Sequence, residues 1–108
     1  SMALHLADAG IDVVGTYRAN AAEAEALARE VAARGRRAAV LPLDVARSET
    51  FAAFADALAR TLRETFGRET FDCLVNNAGV GVHAAIADTT EAQFDELLAV
   101  HLKGPFFL

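Results

Sequence analysis

The stretch Phe71–His83, FDCLVNNAGVGVH, runs from an apolar segment suited to burial into two adjacent amides and then a string of small residues. Asn76 and Asn77 can satisfy backbone donors and acceptors that a strand leaves open at its end, while Ala78 and Gly79 let the backbone approach a flat ligand that a larger side chain would hold off. A ligand-binding loop is one reading, and an Asn-Gly-type turn without a ligand is the other. Two more places have the same form, a short apolar run followed by groups able to do chemistry. After the first run come Tyr17 and Arg18, whose planar guanidinium fork suits a phosphate. After the second come Asp44 and Val45, where the carboxylate is either a ligand acceptor or a residue easing a strand into a turn. Further on, His101 precedes Pro105 by four residues, and a proline has no N–H to give to the carbonyl of residue 101.

Other reactive side chains carry less. His5 sits in a helical pattern without partners, and His83 lies just past the glycine loop with no evident group to orient it. Cys73 falls inside an apolar run with no cation near it in sequence, so packing is its expected role. Arg34, Arg36 and Arg37 form the one basic cluster, at a helix C-terminus where cations suit the macrodipole, and they read as structural. No metal-ligand set is assigned.

Composition narrows the class. The 108 residues are 54% hydrophobic with both charge signs present, which fits a single domain at most. A net charge of −5 without a Lys/Arg run argues against a phosphate-backbone binder, so no nucleic-acid partner is expected. One cysteine excludes an intrachain disulfide framework, and no apolar run approaches the roughly 20 residues of a membrane helix, so no membrane partner is expected either. A cytoplasmic location is the expectation; Ser1-Met2 has the look of a tag remnant and is given no weight.

The elements that must carry these residues alternate. SMALHLADAG reads as the last turns of a helix, with Leu4 and Ala7 at helical spacing and Gly10 as its stop. IDVVGTY is a buried strand. NAAEAEALAREVAARG is a helix with Asn20 as N-cap, Glu25/Arg29 and Glu30/Arg34 as pairs four apart, Leu27 and Val31 on one face, and Gly35 as stop. AAVLPLDV is a second strand, although Pro42 removes a ladder donor. Ser48 is expected to cap a long helix whose stripe is Phe51, Phe54, Ala55, Leu58 and Leu62, ended by Gly67. FDCLVN is the third strand. Thr90 and Gln93 form a capping-box pair opening a last helix, with Phe94, Leu97 and Leu98 expected to face inward. This order predicts an α/β fold, a doubly wound parallel sheet, because parallel strands need crossovers and these usually carry a helix. Ligands of such sheets sit beyond the carboxyl ends of the strands, at Tyr17-Arg18, Asp44-Val45 and Asn76–Gly79.

The sequence resembles the classical short-chain dehydrogenases/reductases, a Rossmann-like, NAD(P)-binding family, and its branch of β-ketoacyl-acyl-carrier-protein reductases most closely. LVNNAG ends the third strand, LDV the second and GTYR the first, with AVHLKGPFFL in the final helix, in family order across essentially all 108 residues. The resemblance implies an oxidoreductase that moves hydride between a nicotinamide and a carbonyl or secondary alcohol. It places the backbone of Asn77, Ala78 and Gly79 against the cofactor ribose, makes Asn76 a structural brace, and sets Asp44 on the adenine amino group with the Val45 backbone beside it. NAD-preferring members generally carry an acidic residue where Tyr17 stands; with no carboxylate there and Arg18 adjacent, NADP(H) is the expected cofactor, NAD(H) the alternative. It further implies a small-molecule carbonyl, alcohol or acyl-thioester substrate and a homodimer or homotetramer, in which the helix from Ser48 and the final helix often pair subunits.

One position departs from the family, whose commonest residue at 101 is an asparagine that holds a relay water and keeps the helix kinked. Here it is histidine. His101 falls four after Leu97 and seven after Phe94, so it reads either as a core histidine or as a substitute for the catalytic amide. The family's glycine-rich turn, its first strand, its catalytic serine and its Tyr-x-x-x-Lys pair are not in these residues, and Tyr17 has no lysine four residues on. In strand order 3-2-1-4-5-6 the first strand lies between the first and third strands seen here, so residues 1–108 are expected to be an internal part of one dinucleotide-binding domain, inactive alone. A non-catalytic dinucleotide sensor on the same fold and a doubly wound methyltransferase are the rival readings.

Overall fold

A computed structural model describes residues 1–108. They fall into two compact units, Ser1–Leu43 with Ala52–Asp72, and Asp44–Phe51 with Cys73–Leu108.

The first unit is built on a parallel β-α-β crossover. Helix α1 (Met2–Asp8) precedes β1 (Val13–Tyr17), α2 (Ala21–Ala33) crosses over, and β2 (Ala38–Pro42) returns alongside β1, with Val13 opposite Ala38 and Tyr17 opposite Pro42. Pro42 is tolerated because it ends the ladder; the next bond, from the Leu43 N–H to the Tyr17 carbonyl at 2.8 Å, lies beyond it. The expected N-cap is present, the Asn20 side chain accepting from the Glu23 N–H at 3.1 Å. The long helix α3 (Phe51–Thr61) runs into a π-wound turn, Leu62–Phe66. Gly10, Gly35 and Gly67 all have positive φ, so the three expected helix stops are left-handed turns that favour glycine. The most buried side chains of this unit are Ala7, Val31, Leu43, Leu62 and Phe66.

The arginine cluster is structural, as expected, but through different partners. Glu30 does not pair with Arg34, nor Glu25 with Arg29; Arg34 instead reaches Asp8 of α1, and Arg36 and Arg37 converge on Asp12, in front of β1. Arg37 also donates to the Phe66 carbonyl at 3.2 Å and lies over the Phe66 ring, 5.8 Å from its centre. For Arg34 a partner on α1 replaces the helical i, i+4 pair, while Glu25 and Arg29 stay unpaired, as exposed flexible ends gain little from pairing.

The second unit contains the residues after β2, a 3-10 turn (Ser48–Thr50), a long irregular stretch, a second 3-10 turn (Ile86–Asp88), helix α4 (Glu91–Leu98), a π-wound turn (Ala99–Lys103) and α5 (Gly104–Phe107). The Thr90/Gln93 capping box forms, with Thr90 N–H donating to Gln93 Oε1 at 2.9 Å and Gln93 N–H to Thr90 Oγ1 at 3.2 Å. Phe51 and Val100 are the buried apolar side chains of this unit.

Four expectations are corrected. Residues 71–76 form no ladder: the sheet has two strands, and nothing lies beside FDCLVN to receive its hydrogen bonds. Cys73 is consequently exposed rather than packed. Ser48 makes no cap; the 3-10 turn starts after Arg47, whose carbonyl accepts from Thr50 Oγ1 at 2.7 Å. On α4, Phe94 and Leu98 face solvent, being 55% and 41% exposed, so the inward stripe is not formed.

Candidate functional site

In the first unit, β1 delivers Tyr17 and Arg18 at its carboxyl end. The Tyr17 backbone is held by the Leu43 N–H, so the direction in which the chain leaves the sheet is fixed by the β1–β2 ladder. Arg18 is exposed and makes no hydrogen bond or ion pair, unlike Arg34, Arg36 and Arg37 in the same unit. No carboxylate stands beside it in sequence, so its fork is available to an anion.

In the second unit, Asp44 and Val45 follow the end of β2. Asp44 Oδ1 accepts the Ala46 N–H at 3.0 Å and the Asp44 carbonyl accepts the Arg47 N–H at 3.0 Å, an Asx-type turn. The turn reading of Asp44 is therefore correct for one oxygen, while Oδ2 has no protein partner and can still accept from a ligand amine. Nearby, Glu49 is held below the ordinary carboxylate range, first by its own backbone N–H and then by Arg47, 3.0 Å away, with Lys103 adding attraction. Neither Glu49 nor Arg47 was singled out in the sequence, since an exposed ion pair two residues apart has no pattern to betray it.

The Asn76–Gly79 loop is exposed throughout. Neither asparagine side chain is hydrogen-bonded, so the brace expected of Asn76 is not made here; the amide would tie a strand end to a neighbouring strand, and residues 71–76 have none. The loop is held from elsewhere. His101 Nε2 lies 2.7 Å from the Val80 carbonyl oxygen and 3.2 Å from the Val80 nitrogen. The shorter contact needs the proton on Nε2, which then donates to the carbonyl; without it, Nε2 accepts the Val80 N–H instead. The ring also covers Gly79, where a Cβ would meet His101 Cε1 at 3.0 Å. His101 is exposed, as are Phe94 and Leu98 on the helix that precedes it.

Gly104, which sequence reading passed over, is buried against the other loop. A Cβ there would stand 2.2 Å from the Val45 carbonyl oxygen and 3.0 Å from the Ala99 oxygen. Its backbone is ordinary helix, φ −57 and ψ −57, so the glycine is needed for space and not for conformation. A lone glycine in an apolar helix was the only available signal.

A family model described as "Enoyl-(Acyl carrier protein) reductase" matches residues 1–108. A short chain dehydrogenase/reductase of Aspergillus novofumigatus is 33% identical over 109 residues, covering 100% of this chain and 39% of that protein. The chain belongs to the short-chain dehydrogenase/reductase family. The 3-oxoacyl-[acyl-carrier-protein] reductase of Staphylococcus aureus is 30% identical over 98% of this chain and 41% of its own length. Among solved structures, landomycin C-6 ketoreductase with bound NADP and rabelomycin superposes with a TM-score of 0.92 at 33% identity, over 98% of this chain and 43% of that one. The α/β architecture is thus that of the Rossmann-fold short-chain dehydrogenases/reductases, and the chain spans about two fifths of the length of these relatives.

Two shallow concavities do not include these residues in their lining. One is an apolar trough lined by Leu58, Leu62 and Phe71, the other a trough lined by Ile86, Thr90 and Phe94. Neither carries a titratable group from the three candidate loops. No group of three or more His, Cys, Asp or Glu is placed to hold a metal, and no helix is long and apolar enough to cross a membrane.

Proposed function

We propose that these residues are the adenosine-binding part of an NADP(H)-dependent short-chain oxidoreductase that interconverts a carbonyl and a secondary alcohol. The observation that carries it is Arg18: an exposed, unpaired guanidinium at the end of β1, in a family member without an acidic residue at that strand end. The donor set fits the cofactor. Arg18 supplies a bidentate fork for a 2′-phosphate, Asp44 Oδ2 an acceptor for the adenine amino group, and Gly79 a backbone without a side chain for the ribose. The NADP bound to the landomycin C-6 ketoreductase supports the same choice.

When bound, the nicotinamide supplies the hydride or takes it up. This chain's own residues bind and orient: Arg18 selects the phosphorylated form, the Asp44–Val45 turn holds the base, and the Asn77–Gly79 backbone packs along the ribose. The two units are read as parts of one dinucleotide-binding domain. A β-ketoacyl thioester is the proposed substrate, supported by the 3-oxoacyl-[acyl-carrier-protein] reductase relative. A cytoplasmic homo-oligomer completes the reading, resting on the family resemblance alone, because the apolar residues of the last helix, Phe94 and Leu98 among them, are also those a monomer core would use.

Calorimetric titration of the intact protein with NADPH, NADH and S-adenosylmethionine tests it. Tight binding of NADPH alone, followed by NADPH consumption with an acetoacetyl thioester, is the expected result. Binding of S-adenosylmethionine in its place overturns the family-based reading; NADPH binding without turnover on any carbonyl leaves a sensor.

A further inference from the structure

His101 lies within the π-wound turn Ala99–Lys103, and Gly104 follows directly at its end. Each touches a different loop. His101 engages the backbone of Val80 on both its polar atoms and covers Gly79, while Gly104 lets the helix approach the Val45 carbonyl more closely than any side chain would permit. Between them the backbone is π-wound, with the Gly104 N–H donating to the Ala99 carbonyl, five residues back. The phase that this wider turn sets is what turns both residues toward their loops.

We propose that His101 and Gly104 are positioning residues, which bind the Asp44–Val45 turn and the Asn77–Val80 loop to one rigid segment and so hold the adenine and ribose contacts in register. This rests on the NADP(H) reading above, but the brace is a property of the protein alone. The two contacts are unlike in kind. The Gly104 contact is steric: a methyl at this position must push the Val45 carbonyl away, moving the turn that Asp44 caps. The His101 contact is polar, and imperfect, since one ring nitrogen serves only the Val80 carbonyl or the Val80 N–H at a time. A carboxamide could serve both together. His101 therefore makes a brace that asparagine would strengthen and leucine would abolish.

The test uses the intact protein with Gly104→Ala, His101→Leu and His101→Asn. NADPH affinity is read by titration, KM and kcat by initial rates, and backbone protection by hydrogen exchange without cofactor. Gly104→Ala is expected to weaken NADPH binding about ten- to hundredfold, on the scale of overpacking at a tight contact, raising KM for NADPH far more than it lowers kcat. Its exchange should quicken at residues 44–47. His101→Leu is expected to weaken binding about fivefold, the worth of one net hydrogen bond, with faster exchange at Val80, and His101→Asn to restore both. Wild-type affinity in Gly104→Ala, or an asparagine variant no better than leucine, overturns the proposal. If the wild-type protein binds no NADPH, the functional reading fails on its own, and exchange decides the brace: quickened at both loops supports it, unchanged overturns it. Should Gly104→Ala not fold, the histidine pair decides alone.

Discussion

Asp12 and Arg37 are joined by three contacts: the Arg37 backbone N–H donates to Asp12 Oδ1 at 2.9 Å, Nε donates to Oδ2 at 3.0 Å, and the terminal nitrogen lies 2.8 Å from Oδ2. Because Asp12 precedes β1 and Arg37 precedes β2, one carboxylate aligns the start of both strands, and the register Val13 opposite Ala38 follows directly. The strand end that carries Arg18 inherits that register.

The Arg37 backbone N–H, more than any other group, holds the Asp12 carboxyl below the ordinary carboxylate range; burial opposes this, and the Arg37 and Arg36 guanidiniums add to it. A carboxylate whose folded value is lowered contributes stability above its unfolded value of about 4 and loses it as pH falls through the folded one. Thermal unfolding between pH 7 and pH 2 should therefore show wild-type stability declining below about pH 4. Asp12→Asn should be less stable at pH 7 by about 1 kcal/mol, because the guanidiniums remain partly in water, and the gap should close in acid.

Gly67 ends the long α3 segment with φ +66 and ψ 28, and nothing lies within 4 Å of the place a Cβ would take. Substitution there costs conformation alone. Gly67→Ala should lower stability by about 1–2 kcal/mol in denaturant titration, and Gly67→Asn by distinctly less, as asparagine tolerates the left-handed region.

Thr90→Ala removes the acceptor for the Gln93 N–H at the start of α4 and should cost about 1 kcal/mol, with Thr90→Ser close to wild type. Hydrogen exchange at Gln93 reads the loss directly. An unchanged rate there would mean that α4 is held by its later turns and not by its cap.

Gly67 and the Thr90 cap show what could be read from the sequence, and the Asp12–Arg37 pair what could not. Caps and stops are local: Asn20, the Thr90/Gln93 pair and the three glycines act within a few residues, so spacing alone revealed them. Both paired strands were legible, β1 as a β-branched run bounded by polar residues and β2 as a run apolar throughout. Features that depend on distant partners were not. The apolar pattern of residues 71–76 promised a strand, but a strand exists only with a neighbour, and the same pattern without one is an exposed segment. The stripe on α4 likewise described an amphipathic face without saying what would cover it. At the candidate site the loops were legible as small and amide residues after apolar runs, while the brace was not, since a histidine meeting a carbonyl 21 residues away leaves no trace in spacing.

Arg18 offers the sharpest test of cofactor choice. Its guanidinium has no partner among residues 1–108, so its removal should leave their folding untouched, and an effect on binding reports the ligand. A 2′-phosphate held by a bidentate fork gains charge-assisted hydrogen bonds of about 1.5–3 kcal/mol, which converts to roughly ten- to hundredfold in affinity. Arg18→Ala should therefore raise KM for NADPH by that factor, leave KM for NADH nearly unchanged, and shift no melting temperature in the absence of cofactor. Arg18→Glu should go further, repelling the 2′-phosphate while offering the free ribose hydroxyls an acceptor, and so move preference toward NADH. Equal losses for both cofactors in Arg18→Ala would mean that the arginine meets the shared pyrophosphate or ribose, and the basis for NADP(H) selection would have to lie outside β1.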